Sequence, residues 1–168
     1  MPTTAPATAS SGPSNLLLAM LDATSLSLLQ PHLREVTLKQ YDILQDADAR
    51  IQYVYFPLSA MISLLAILET GEAIEIAAIG REGALGTRFG ARPQLSFARA
   101  VVQLAGTALR IAISQFHQAA TMSSAIADLA MSANDVLVAN LQTVSSLQCH
   151  ARTRSALGAV ATSCARST

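Results

Sequence analysis

Gly80-Arg81-Glu82-Gly83 has the residue types of a small anion site, since glycine amides allow close approach and Arg81 supplies positive charge. The same spacing at a strand end also describes an ordinary turn with Arg and Glu left in solvent, and that reading is preferred. Catalysis is not expected, because it needs convergent titratable groups. His32 follows a predicted helix, His117 lies in another, and His150 is in the C-terminal segment, so none sits on a predicted strand where a metal-dependent enzyme would gather its ligands. No G-x-S-x-G elbow is present, and Cys149 and His150 are read as neighbours by chance. Cys149 and Cys164 stand fifteen positions apart with neither a C-x-x-C pair nor zinc-finger spacing, so they read as free thiols in a reducing cytoplasm. Neither a metal nor a cofactor is expected.

The elements that would position any site are short. Residues 1–14 are mostly Ala, Thr, Ser and Pro without a charged side chain, which predicts a disordered tail lacking the basic stretch of a secretory signal. Ser14 and Asn15 precede the apolar run Leu16 to Leu21, and Thr24 or Ser25 precedes Leu26, Leu28 and Leu29, so two short capped helices are predicted, the second closed by Pro31. The run Leu16 to Leu21 is six residues, against about 20 for a bilayer crossing, and no membrane segment is expected.

From Val36 to Ile113 the chain reads as short β-type runs broken by Gly, Pro, Asp and Ser. Tyr53 to Phe56 ends at Pro57; Met61 to Leu68 is apolar on both faces, which marks a central strand; Glu72 to Ile79 follows a hairpin turn at Thr70-Gly71. In the next strand Ala98, Ala100, Val102 and Leu104 share one face and Phe97, Arg99, Val101 and Gln103 the other, so Arg99 should point away from the interior. After the turn Ala105-Gly106-Thr107, Leu109, Ile111 and Ile113 share a face. Hairpin-connected short strands predict a mainly β sandwich or jelly-roll with flanking helices.

Ser114 is predicted to cap a short helix, and from Ser123 to about Gln148 the chain lacks Gly and Pro. Ile126, Leu129, Ala133, Val136, Asn140, Val144 and Leu147 recur there at intervals of three and four. Such a stripe suits either a partner helix or the chain's own barrel. Asn140, which could bond its twin and fix register, tips the reading towards a homodimer paired through Leu129, Val136, Asn140, Val144 and Leu147. The expected organisation is a tail over 1–14, a sensor domain over 15–120, a pairing helix over 121–149 and an aberrant or truncated tail over 150–168.

Eleven basic residues balance eleven acidic ones, so no net field draws the chain to nucleic acid or to an anionic membrane. The stretch Tyr53-Val54-Tyr55-Phe56-Pro57-Leu58-Ser59-Ala60, then Ser63-Leu64-Leu65, Leu68-Glu69-Thr70-Gly71 and Ile79-Gly80-Arg81-Glu82-Gly83, resembles the Crp/Fnr family of bacterial transcription regulators in order and spacing. The resemblance runs from about Asn15 to Cys149, with Ala60 where the nearest branch usually has Gly. It implies a cyclic-nucleotide-binding-type jelly-roll, a long dimerisation helix, a cytoplasmic regulator with a small-molecule effector, and a winged helix-turn-helix that reads DNA in full-length members. In members that bind cyclic AMP, a Glu holds the ribose and a later Arg holds the cyclic phosphate. Here Leu85 or Gly86 falls at the Glu position and Ser96 at the Arg position, while Arg99 lies three residues further on the opposite face. Cyclic AMP is therefore expected to bind weakly or not at all, and the remaining ligand candidates are Gly80, Arg81, Glu82, Gly83, Ser96 and Arg99.

A winged helix-turn-helix needs on the order of 60 residues beyond the pairing helix, and twenty follow Gln148. Those twenty carry three Arg, no acidic residue and no helical apolar spacing. A reading-frame change near Cys149 is the preferred account of this and a genuine short tail the alternative, and the nucleotide sequence decides between them. The expected function is the sensory and pairing portion of a Crp/Fnr-like regulator; the alternative is a stand-alone ligand-binding or protein-interaction module of the same fold.

Overall fold

Successive side chains of a strand point to opposite faces, and Tyr53 to Phe56 use both. Tyr53 and Tyr55 face one apolar core, Val54 and Phe56 a second. The computed structural model describes residues 15–67, 72–88 and 95–134. In chain order the elements are α1 (Leu16–Ala19), α2 (Ala23–Leu29), a 3-10 turn (Gln30–His32), β1 (Arg34–Leu38), β2 (Ile43–Gln45), β3 (Tyr53–Pro57), β4 (Met61–Ile67), β5 (Ala73–Ile79), β6 (Arg99–Leu104), β7 (Gly106–Ala112), α3 (Ile113–Met122) and a helix over 124–134, here α4.

The strands form two antiparallel sheets, ordered β1-β7-β3 and β2-β6-β4-β5. β4, the strand with apolar residues on both faces, lies between β6 and β5. Between the sheets sit Leu38, Tyr55, Ile62, Leu64, Ala100, Val102 and Ala108. On the other face of β3 and β7, Val54, Phe56 and Ile111 pack with Leu18, Leu29, Phe116 and Ile126 from the helices. Burying each of these large side chains contributes about 1.5–3 kcal/mol, and the Phe56 and Phe116 rings meet at 6.2 Å in a tilted pair.

Several boundaries differ from those predicted. The N-cap of α2 is Asp22, not Thr24 or Ser25, because its carboxylate accepts both the Ser25 amide at 2.9 Å and the Ser25 hydroxyl at 2.6 Å. Pro31 lies inside the 3-10 turn rather than ending α2 directly, and the strands begin at Arg34 rather than Val36. α3 starts at Ile113 after an uncapped Ala112, so Ser114 is inside the helix and Ile113 is no longer in the strand. Leu104 is 52% exposed, not buried with Ala98, Ala100 and Val102, since a register shift between Met61 and Ile62 opposite it breaks the alternation. Thr70-Gly71 lies outside the described residues, although β4 and β5 pair antiparallel as that turn requires.

Ser123 is extended (φ −138, ψ 119) and separates α3 from α4; its hydroxyl lies 2.8 Å from that of Ser25. Leu129, assigned to the pairing seam, is buried within the chain's own helix-side core with Ile126 and Ala130, and Ala133 is buried as well. The apolar spacing over this turn therefore serves intrachain packing. Val136, Asn140, Val144 and Leu147, like residues 1–14 and 150–168, lie outside the described residues.

Candidate ligand pocket

The Gly80–Gly83 tetrad closes β5 with a turn whose polar groups are committed locally. The Gly83 amide donates to the Gly80 carbonyl at 3.1 Å, and the Gly80 amide donates to Glu82 Oε1 at 2.9 Å. A carboxylate thus already occupies the amide that an anion would need. Asn15, fully buried, donates its side-chain amide to the carbonyls of Pro57 and Gly83, both at 3.0 Å, and accepts from the Leu17 and Leu18 amides at 3.1 and 3.3 Å. The Leu16 amide donates to the Arg81 carbonyl at 2.8 Å. Asn15 is at once the cap of α1 and the clamp between that helix, β3 and the tetrad. Arg81 and Glu82 side chains are exposed.

Beyond the turn, Leu85 exchanges backbone hydrogen bonds with Tyr55 at 2.9 and 3.0 Å, laying this segment along β3. Gly86 follows with φ +85, and a Cβ there would stand 2.6 Å from the Tyr53 carbonyl oxygen, so only glycine fits. Thr87, fully buried, has a hydroxyl without a partner among the described residues.

Ser96 is buried and saturated. Its hydroxyl donates to the Ala98 carbonyl at 2.5 Å, accepts the Ala98 amide at 3.3 Å and accepts from Gln45 Nε2. One O–H and two lone pairs are a serine hydroxyl's full capacity, leaving nothing for a ligand. The Ser96 backbone is held as well, donating to the Ala49 carbonyl at 2.9 Å and accepting the Asp48 amide at 2.8 Å. Beside Ser96 is a cavity of about 20 Å³ bordered by Gln45, Ile51, Leu64, Leu85 and, from α4, Asn134. That volume holds about one water molecule.

Arg99 is outside this cavity. Its Nε donates to Asp46 Oδ1 at 2.7 Å in a partly exposed ion pair that holds the Asp46 carboxyl below its ordinary value. The sequence-derived candidates therefore split three ways: a self-satisfied turn, a saturated buried serine and a surface ion pair. Gln45 and Asn134, which border the cavity, were not among them; each becomes recognisable only once loop, strand and helix are assembled.

No protein-family profile and no curated protein matches the sequence. Solved structures do. The chain resembles a CooA mutant from Carboxydothermus hydrogenoformans at TM-score 0.65 and 16% identity, over 89% of this chain and 97% of that one. It resembles the N-terminal domain of a transcriptional regulator from Streptomyces coelicolor A3(2) at TM-score 0.57 and 18% identity, over 74% and 89% of the two chains. FixK2 from Bradyrhizobium japonicum aligns at TM-score 0.57 and 14% identity, over 66% of this chain and 55% of that chain, so only about half of FixK2 is spanned. The structural neighbours are thus Crp/Fnr regulators and cyclic nucleotide-binding domains, and the chain shares their fold. Among the described residues no helix is long and apolar enough to cross a membrane.

Proposed function

We propose that this chain is the effector-sensing and pairing portion of a Crp/Fnr-like transcription regulator whose effector is not cyclic AMP. The observation that carries the reading is Ser96, which stands where the resemblance calls for a phosphate-holding Arg and spends its whole hydrogen-bonding capacity on Gln45 and Ala98. The cavity beside it, about 20 Å³, is too small for a nucleotide. Asn134 borders that cavity from α4, the helix that also fills the helix-side core, so an effector that enlarges the cavity on that side would shift α4. A shift in α4 is the route by which occupancy would change how two copies pair.

Calorimetry with cyclic AMP tests the central claim. No saturable heat is expected up to about 1 mM, where binding is worth about 4 kcal/mol; micromolar binding overturns the reading. DNA contact is not assigned to the described residues. With balanced charge over the whole chain, gel-shift titration should give only weak, salt-sensitive and sequence-blind binding.

A further inference from the structure

α3 and α4 are separated by a single residue, with no glycine or proline to force the break. Ser123 ends α3 by donating its amide to the Ala119 carbonyl at 3.0 Å, and starts α4 by offering its own carbonyl to the Ala127 amide at 3.3 Å. A serine at such a position usually turns its side chain onto the helix it precedes. Among the described residues the partner of the Ser123 hydroxyl is instead Ser25 of α2, at 2.8 Å. Ser25 is buried, and its one proton goes to Asp22 Oδ2 at 2.6 Å, a carboxylate that can only accept. Ser123 must therefore be the donor within the serine pair. The three side chains form one directed chain, Ser123 to Ser25 to Asp22, in which each bond polarises the next and the last is charge-assisted. The same bonds from Ser25 hold the Asp22 carboxyl below its ordinary value.

From this chain we infer a latch: the bond from Ser123 to Ser25 pins the joint about which α4 swings, and α4 leaves the helix-side core only when that bond breaks. The α2 end of the latch is fixed. The Ser25 amide is held by Asp22 Oδ1 at 2.9 Å, and Leu29 of the same helix is fully buried against Phe116 and its neighbours. The give therefore lies on the α4 side, where Ile126, Leu129 and Ala130 enter the same core from beyond the joint. A single bond between neutral hydroxyls is of a size to bias an opening equilibrium several-fold without locking it. The latch belongs to the fold and needs no effector, whereas the regulator reading gives it a use in timing the movement of α4. A test without effector can accordingly sink the latch while leaving that reading in place.

The test is amide hydrogen exchange of the 168-residue chain, read by NMR at Ala127, Asp128, Leu129 and Ala130 of α4, with Ile62 and Leu64 of β4 for comparison. In the unmodified chain the α4 amides should exchange at least about tenfold faster than those of β4, because α4 opens without the rest of the fold. Ser25→Ala and Ser123→Ala should each speed the α4 amides about fivefold, as loss of one ordinary hydrogen bond does. Ser123→Thr keeps a hydroxyl on a residue type that suits extended backbone, and should leave them unchanged. The double variant Ser25→Ala/Ser123→Ala should match either single variant, not the product of about 25-fold expected of independent sites. Should Ser123→Ala fail to fold, Ser25→Ala decides, because it lies outside α4 and leaves the backbone bond that caps α2 in place. The proposal is overturned by α4 and β4 exchanging in step, by unchanged α4 exchange in Ser25→Ala, or by a double variant that reaches the product.

Discussion

The two faces of β3 and β7 are built from alternate residues of the same strands, yet they do different work. On the helix side Val54, Phe56 and Ile111 meet Leu18, Leu29 and Phe116 in an apolar core. On the inter-sheet side Tyr53 and Tyr55 wall an open groove, and Arg110 lies over the Tyr53 ring at 4.4 Å. Close packing rewards every methylene on the first face, whereas on the second the polar tips must reach either water, each other or a ligand. A strand with period two can therefore place a close-packed core and a polar-edged surface a single residue apart, and substitutions at neighbouring positions should differ in kind.

Phe56→Ala is the strongest way to break the comparison. Phe56 is fully buried on the helix side, and its loss should cost about 3–5 kcal/mol in urea denaturation. A cost under about 1 kcal/mol would mean that this face is not the close-packed one. Asn15→Ala comes next. It removes the cap of α1 and leaves the Pro57 and Gly83 carbonyls without their donor, for an expected loss of about 2–3 kcal/mol. Asn15→Asp keeps the cap but not the donors, so it should recover only part of that loss.

The inter-sheet face should show itself in pH dependence instead. Burial pushes the Tyr55 phenol above its ordinary value of 10.0, against the opposing pull of Arg110. The folded state then keeps this proton after the unfolded chain has lost it, so stability is unaffected well below pH 10.0 and falls as pH rises through 10.0 and the folded value above it. Urea denaturation across that range should give a downward slope that Tyr55→Phe removes, a smaller effect than either substitution above. An unchanged slope in Tyr55→Phe would assign the loss to other groups.

How much of this was legible beforehand depended on whether a feature is local. The apolar run Met61 to Leu68 located a central strand, paired on both edges by β6 and β5, although only Ile62, Leu64 and Ala66 of it face an apolar core. Asn15 read correctly as a cap, but its clamp on Pro57 and Gly83, 42 and 68 residues away, has no sequence signal. Asp22, Thr24 and Ser25 are all capping types, and only the pair of bonds from Ser25 to one carboxylate picks out Asp22. Leu104 misled because alternation assumes an unbroken register. Leu129 shows the limit of stripe reading: three-and-four spacing states that a face is covered, not by what. The Arg34, Arg110 and Tyr55 row was invisible for a related reason, since three strands must be paired in register before it exists.

The mildest prediction concerns the outer surface, which belongs to neither face. Arg99 lowers the Asp46 carboxyl by hydrogen bonding to it, so the folded state releases that proton more readily than the unfolded chain. Any stabilisation from the pair is present above the ordinary value of 3.8 and is lost as pH falls through the lowered folded value. Both side chains are well exposed, so solvent and salt screen the interaction. Asp46→Asn should therefore alter acid unfolding only slightly, and less still at high salt, as followed by far-ultraviolet circular dichroism. A large shift in acid unfolding on removing that carboxylate would show instead that the pair is not screened, and the contrast between the packed faces and an inert surface would have to be redrawn.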